Sequence, residues 1–164
     1  MAEKILVSII IGSQSDWPVM QEAGTIFESM GVPYEARVLS AHRTPEALAE
    51  YVKTAVQGGV EVIIAGAGGA AHLPGVIAAQ TTIPVLGVPI PSSALNGLDS
   101  LLAIVQMPSG IPVGTLGIGK PGGINAALLA VSILGNKYPQ YRDSIKKHRE
   151  NQAQAILENS FLKG

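Results

Sequence analysis

Apolar residues along this chain come in blocks whose spacing predicts alternating strands and helices. The first block, residues 4–11, is a continuous β-branched and apolar run, which is typical of a parallel strand buried on both faces. A polar turn follows at residues 12–16, and from Pro18 apolar residues recur at helical spacing until Gly31 ends the run. One strand, one polar turn and one helix therefore form the first unit.

The same pattern repeats along most of the chain. Further strands are predicted at residues 34–39, 60–65, 85–88 and 112–118, and helices at about 44–57, 73–80, 98–106 and 123–134. Five consecutive units of this kind predict a doubly wound, five-stranded parallel sheet in a three-layer α/β sandwich of the flavodoxin-like type. Ligands of such sheets bind beyond the carboxyl ends of the strands.

The last segment, residues 138–159, has a helical composition but only a thin apolar stripe. The stripe consists of Tyr141, Ile145, His148, Gln152 and Ile156. Such a helix buries little against its own domain, so it is either an arm that reaches a neighbouring subunit or a loosely docked surface helix. Since no linker or internal repeat divides the chain, we expect one domain over residues 1–164 with this C-terminal helical arm.

Charge is distributed unevenly along the chain. Only 14% of residues are charged, against about 25% in an average soluble domain. Between Val62 and Asn136 the only Asp, Glu, Lys or Arg residues are Asp99 and Lys120. Uncharged surface of this extent is usually buried, either in a membrane or against another subunit. Prolines and glycines cut this region well short of the roughly 20 apolar residues of a spanning helix, so we expect a homo-oligomer and no membrane partner.

Several classes of function are disfavoured by what the sequence lacks. With no cysteine there are no disulfides, thiolate nucleophiles or cysteine zinc sites, and a net charge of −1 does not suggest a nucleic-acid partner. No P-loop motif is present, and the Gly-rich residues 66–75 lack the later carboxylate of a dinucleotide site. The histidines are not spaced as metal ligands. We expect no metal or cofactor, and a cytoplasmic protein, since residues 1–4 do not resemble a targeting segment.

Three loops at strand carboxyl ends hold most of the candidate chemistry. Residues 12–16 offer Ser13 and Ser15 hydroxyls at a helix start, which suits an anion, although this loop taken alone favours a helix-capping turn. Asp16 is suited to capping that helix or to accepting hydrogen bonds from ribose hydroxyls. Because these loops follow the first three strands, we expect them to meet at one edge of the sheet.

The second and third loops are more specific. In residues 40–45, Ser40 and Arg43 suit a phosphate, and His42 carries the side chain that ordinarily titrates nearest neutral pH. A lone histidine is usually structural, but one between serine and arginine on such a loop is equally suited to catalysis. In residues 66–75, glycines allow the backbone to approach a ligand closely.

These loops resemble the three signatures of the N5-carboxyaminoimidazole ribonucleotide mutases. The matching segments are residues 12–17, 40–45 and 66–75, with further matches at 87–89, 106–113 and 125–130. The resemblance spans nearly the whole chain and implies a cofactor-free homo-octameric enzyme of purine biosynthesis. It departs at Pro91, where the family has Gln, and at Pro121, where a small residue is expected.

The resemblance also implies roles for individual residues. His42 would transfer protons, and Ser13, Asp16, Ser40 and Arg43 would hold the phosphate and ribose of the ribonucleotide substrate. The third loop would close over the imidazole and carboxylate through Ala67, Gly68, Gly69, His72 and Leu73, with a shaping or hydrogen-bonding role for His72.

Two rival interpretations remain. A related carboxylase uses aminoimidazole ribonucleotide and free CO2, but those enzymes tend to have Lys where this chain has Arg43, which favours the mutase. A non-catalytic nucleotide-binding or sensor domain of the same fold would need no titrating side chain beside its phosphate loop.

Overall fold

The computed structural model describes residues 4–162 and contains a five-stranded parallel sheet. The strands are β1 (Val7–Ile11), β2 (Tyr34–Val38), β3 (Val62–Ala67), β4 (Val85–Pro89) and β5 (Gly114–Thr115). Their order is β2-β1-β3-β4-β5, and every neighbouring pair is parallel. The three central strands are fully buried, which explains their continuous apolar composition. The predicted doubly wound fold is confirmed.

Helices cover both faces of this sheet. They are α1 (Trp17–Met30), α2 (Pro45–Gly58), α3 (Leu73–Ala78), α4 (Leu98–Val105), α5 (Lys120–Leu134) and α6 (Pro139–Glu158). Ile9 and Ile11 of β1 face the core formed with α1 and α5, whereas Ile10 faces the core formed with α2, α3 and α4. Each of the three central strands thus contributes alternate residues to the two cores, and the molecule is the expected three-layer sandwich.

Several predicted boundaries were wrong by a few residues. The first strand begins at Val7 rather than at residue 4, and the third spans Val62–Ala67 rather than 60–65. The third strand is shifted because left-handed Gly59 turns the chain before it, while β4 pairs with it as far as Ala67. The fifth is only Gly114–Thr115 rather than 112–118, because only these two residues pair with β4, at Leu86 and Gly87.

Helix ends differ from prediction in the same way. Helix α5 begins at Lys120, three residues before the predicted start, because Pro121 fits its first turn. Helix α3 ends at Ala78 instead of residue 80. Asp16 precedes α1, but within the described chain its side chain makes no capping hydrogen bond there. The capping alternative for Asp16 was therefore wrong.

Helix α6 joins the domain only through its first half. Tyr141 is buried, and Ile145 packs on the core beneath α1 and α5. From Arg149 onwards every described residue is exposed, including Gln152 and Ile156. The stripe therefore contacts its own subunit only through its first half, which agrees with the expectation that this helix buries little against its own domain. None of the helices within residues 4–162 is long and apolar enough to cross a membrane.

Candidate functional site

The three candidate loops line one cavity of about 340 Å³ at the carboxyl edge of the sheet. The sheet order puts β1 between β2 and β3, so the loops that follow these strands are neighbours. All the predicted site residues except Gly69 line the cavity: Ser13, Asp16, Ser40, His42, Arg43, Ala67, Gly68, His72 and Leu73. The expected convergence of the loops is therefore present, while the roles of the residues stay predictions.

The second loop is closed by hydrogen bonds between Ser40 and Thr44. The Ser40 N–H donates to Thr44 Oγ1 at 2.8 Å, and the Ser40 carbonyl accepts from the Thr44 N–H at 3.0 Å. The Ser40 hydroxyl oxygen accepts from the backbone N–H groups of His42 at 3.3 Å and Arg43 at 3.1 Å. With both lone pairs occupied, this hydroxyl offers the cavity a donor.

Arg43 joins the second loop to the first. Its Nη2 donates to the Gly12 carbonyl at 3.2 Å, which leaves the other guanidinium donors for a ligand. In the first loop, the Ser13 hydroxyl oxygen accepts from Ser15 N–H at 3.3 Å and from the Ser15 hydroxyl at 2.9 Å. Ser13 is therefore another hydroxyl set to donate. Two hydroxyl donors and one permanent cation suit a phosphate.

Asp16 brings a carboxylate into the same cavity. Burial raises the pKa of its carboxyl above the ordinary 3.8, and this outweighs the nearby Ser13 backbone N–H, the Ser15 side chain and the charge of Arg43, which lower that pKa. A partly desolvated carboxylate gains from hydroxyl donors. This environment is compatible with hydrogen bonds from ribose.

His42 and His72 form a direct pair across the cavity. Nε2 of His42 lies 2.7 Å from Nδ1 of His72, and the rings meet edge to face with centroids 4.8 Å apart. One proton occupies that contact, so one ring donates and the other accepts. The opposite nitrogen of each ring remains outside this bond. The pair thus orients both imidazoles and links the second loop to the third.

The third loop shapes the cavity with backbone rather than with polar side chains. Gly69 and Ala71 both have left-handed backbone, with φ of +62° and +45°. Such a φ is unusual for alanine and concentrates at functional sites. The Ala71 N–H donates to the Gly68 carbonyl at 3.1 Å, which closes the turn. Ala67, Gly68 and Leu73 line an apolar part of the cavity.

Some residues of the site were not predicted. Gly12, Ala41, Ala70 and Ala71 also line the cavity, and Thr44 closes the second loop through its hydroxyl. All belong to the predicted loops, but side chains this small give no chemical signal in a sequence. A threonine directly before a proline is typical of a helix cap. The sequence therefore gives no sign of the hydrogen bonds between Thr44 and Ser40.

The cavity is distinguished by chemistry rather than by size. A wider groove of about 810 Å³ lies at the opposite edge of the sheet, around residues 78–86 and 110–114. Its lining residues, all within the described chain, include no ionisable side chain. Among residues 4–162, His, Asp and Glu side chains form no group of three that could hold a metal ion.

Comparison with known proteins points to one family. A model of the AIR carboxylase family matches residues 6–155. The N5-carboxyaminoimidazole ribonucleotide mutase of Pyrococcus abyssi is 65% identical over 88% of this chain and 82% of its own length. The enzyme of the same name from Pseudomonas aeruginosa is 57% identical over 94% of each chain, and that from Escherichia coli is 54% identical over 96% and 94%.

A solved structure shows the same likeness. PurE from Treponema denticola superposes with a TM-score of 0.86 at 30% sequence identity, covering 94% of this chain and 95% of that one. The likeness therefore extends over nearly the whole chain.

Proposed function

This chain belongs to the AIR carboxylase family, and we propose that the cavity beside His42 is where it isomerises a carboxylated aminoimidazole ribonucleotide. The enzyme converts N5-carboxyaminoimidazole ribonucleotide to 4-carboxy-5-aminoimidazole ribonucleotide in de novo purine biosynthesis, in line with the names of its mutase relatives. We also propose a cytoplasmic location, because a phosphorylated substrate crosses membranes poorly. The observation that carries the site assignment is His42 beside hydroxyl donors and Arg43 on one wall, and an apolar pocket on the other.

The phosphate is held at the first two loops. The Ser13 and Ser40 hydroxyls have their acceptor sites filled by protein donors, so they donate to phosphate oxygens. Arg43 adds a charge-assisted contact. Helix α2 begins directly after the second loop, and its positive end lies at the same edge of the sheet. Asp16 accepts hydrogen bonds from the ribose.

The reaction needs one proton delivered and one removed. The substrate carboxylate is bonded to the exocyclic nitrogen as a carbamate, and protonation of this nitrogen by His42 breaks the N–C bond and releases CO2. The electron-rich ring carbon then attacks the same CO2 and forms the new C–C bond. His42 removes the proton from that carbon, the ring regains its aromaticity, and the histidine ends as it began.

CO2 must stay beside the ring carbon between these steps. The third loop supplies a small pocket of backbone, methyl groups and Leu73 that offers little to compete with CO2. His72 holds His42 through the 2.7 Å contact, so it orients the ring that transfers the proton.

A carboxylate label tests the mutase reaction directly. Substrate labelled in its carboxylate is supplied with excess unlabelled bicarbonate, and the product is collected quickly because the substrate decomposes unaided. We expect most of the label at the ring carbon, since CO2 is recaptured in the closed site. Unlabelled product, together with good turnover of aminoimidazole ribonucleotide and CO2, would instead identify the carboxylase, which the relatives' names do not favour.

We further propose that the enzyme is a homo-octamer. Helix α4 exposes an apolar face on which Leu98, Leu102 and Val105 are each about half exposed in the single chain. The tail beyond α6 also contains Phe161 and Leu162, which are 96% and 93% exposed. Apolar surface of this kind is typical of subunit interfaces. We propose that α6 is an arm that packs on a neighbouring subunit.

Light scattering tests this assembly. The full chain should have the mass of eight subunits at micromolar concentration, and a chain lacking residues 138–164 should form smaller or less stable assemblies. A full chain that stays monomeric would contradict the burial argument, and a deleted chain with unchanged mass and stability would contradict the role of the arm.

A further inference from the structure

Thr44 stands where a helix cap belongs but does not cap the helix. It immediately precedes α2, whose first residue is Pro45. At this position a threonine hydroxyl normally accepts a hydrogen bond from an N–H group of the first helical turn, which stabilises the helix. Within the part of the chain that the structure describes, the Thr44 side chain makes no such bond. Its hydroxyl has been turned away from the helix.

The hydroxyl points back to Ser40 instead. Thr44 Oγ1 accepts from the Ser40 N–H at 2.8 Å and donates to the Ser40 carbonyl at 3.1 Å. Together with the backbone bond from Thr44 N–H to the same carbonyl, these bonds close residues 40–44 into a ring. Both polar groups of the Ser40 backbone are thereby satisfied by one residue.

The closed ring fixes the residues that meet the substrate. Ser40 in turn accepts from the backbone N–H groups of His42 and Arg43, so the direction of its hydroxyl and the backbone of both neighbours depend on where Ser40 lies. Thr44 itself is outside the residues that line the cavity. Its influence on the ligand therefore passes through Ser40.

We propose that Thr44 is a positioning residue. Instead of capping α2, its hydroxyl makes two hydrogen bonds to the Ser40 backbone, which we call the clasp. The clasp holds Ser40, His42 and Arg43 in the geometry used by substrate. The inference rests on the proposed function for its kinetic consequences. It predicts that the Thr44 hydroxyl, not its methyl group, is needed, and that the helix itself loses little when the hydroxyl is removed.

The test compares three variants in the assembled full-length enzyme. Thr44→Val removes both clasp bonds while keeping the shape, and Thr44→Ser keeps the hydroxyl. Thr54→Val is the matched control on the same helix, since among residues 4–162 the Thr54 hydroxyl bonds only to the helix carbonyls of Glu50 and Tyr51. Steady-state kinetics with the N-carboxylated ribonucleotide are measured alongside hydrogen exchange of a peptide that contains the Ser40 amide.

Thr44→Val should lower kcat/KM by about 10-fold or more, because small displacements of positioned groups are costly. KM should rise and kcat should also fall, since Ser40 and Arg43 bind while His42 transfers the proton. The Ser40 amide should exchange faster. Thr44→Ser should restore most of the rate, and Thr54→Val should match the wild type in both measurements.

Other outcomes overturn the proposal. Wild-type kinetics in Thr44→Val, or equal impairment of Thr44→Ser and Thr44→Val, would show that the clasp does not position the site. Unchanged exchange of the Ser40 amide in Thr44→Val would show that the clasp is absent in solution, whatever the enzyme catalyses. Inactivity of the wild-type chain on this substrate would instead count against the proposed function, and the exchange measurement would still decide the clasp.

Discussion

The second and third loops lie side by side at the same edge of the sheet, yet they are built by opposite means. In residues 40–44 the polar backbone and hydroxyl groups of Ser40 and Thr44 are joined by short-range hydrogen bonds. In residues 66–72 the side chains are hydrogen atoms and methyl groups until His72, and the shape comes from left-handed Gly69 and Ala71. One loop is organised by hydrogen bonds and the other by backbone torsion.

The difference fits what each loop would hold in the proposed function. A phosphate and a transferred proton need donors at fixed positions, and a network of satisfied hydrogen bonds provides them. CO2 is small and uncharged, so it needs a space without competing water rather than a set of donors. The two constructions divide the site into a charged half and an apolar half, with the His42–His72 contact between them.

Replacing either histidine by asparagine should have the largest effect on activity, and the two replacements should differ in size. His42→Asn keeps a polar side chain but removes proton transfer, and should lower kcat by about 100-fold or more. His72→Asn removes only the partner that orients His42, so its loss should be smaller. Both variants should still bind the product ribonucleotide in calorimetry. Equal losses in the two variants would show that the proton is handled by the pair rather than by His42.

Loss of Arg43 should weaken binding more than chemistry. Arg43→Ala removes the permanent cation of the charged half, and should weaken ribonucleotide binding by about 1.5–3 kcal/mol, the scale of a charge-assisted hydrogen bond. Arg37→Ala is the matched control, because Arg37 is an exposed arginine paired with Glu35 outside the cavity. Calorimetry gives the affinities. An unchanged affinity in folded Arg43→Ala would remove the phosphate assignment.

A methyl group at Gly69 tests whether torsion alone shapes the third loop. Apart from Gly69 and its two chain neighbours, no described heavy atom lies within 4 Å of a Cβ built on Gly69, although its φ is +62°. Gly69→Ala should therefore lower the unfolding free energy by about 1–2 kcal/mol through backbone strain. Gly58→Ala, also free of close contacts but with ordinary φ, should be neutral or stabilising. Similar stability changes in chemical denaturation of both variants would contradict this interpretation.

Asp16 should give the smallest effect, and it depends on pH. Because burial raises the pKa of its carboxyl above 3.8, the folded chain binds this proton more tightly than the unfolded chain does. The contribution of Asp16 to stability therefore falls as pH rises from 3.8 through the raised value. Asp16→Asn should remove this slope and gain stability relative to the wild type at higher pH. The slope of stability against pH is measured by denaturation across the acidic range. If the variant keeps the wild-type slope, the slope belongs to another group.

The sequence by itself determined the layers of this protein and the segments that carry its site. Strands and helices were predicted because buried parallel strands require continuous apolar runs, and helices against a sheet require apolar residues at helical spacing. The three candidate loops followed from this order, since the carboxyl ends of parallel strands share one edge. The family was indicated by residues 12–17, 40–45 and 66–75, which the comparison over residues 6–155 confirmed.

Tertiary structure decided what these local patterns leave open. The ends of β3 and β5 depend on the partner strands beside them, not on their own residues. Nε2 of His42 and Nδ1 of His72 lie 2.7 Å apart although 30 positions separate the two residues. Thr44 has a hydroxyl that fits either a helix cap or a loop, and these alternatives differ by only about one hydrogen bond. The hydroxyl bonds to Ser40 because of the path that the chain takes between β2 and α2. Only the folded molecule determines that path.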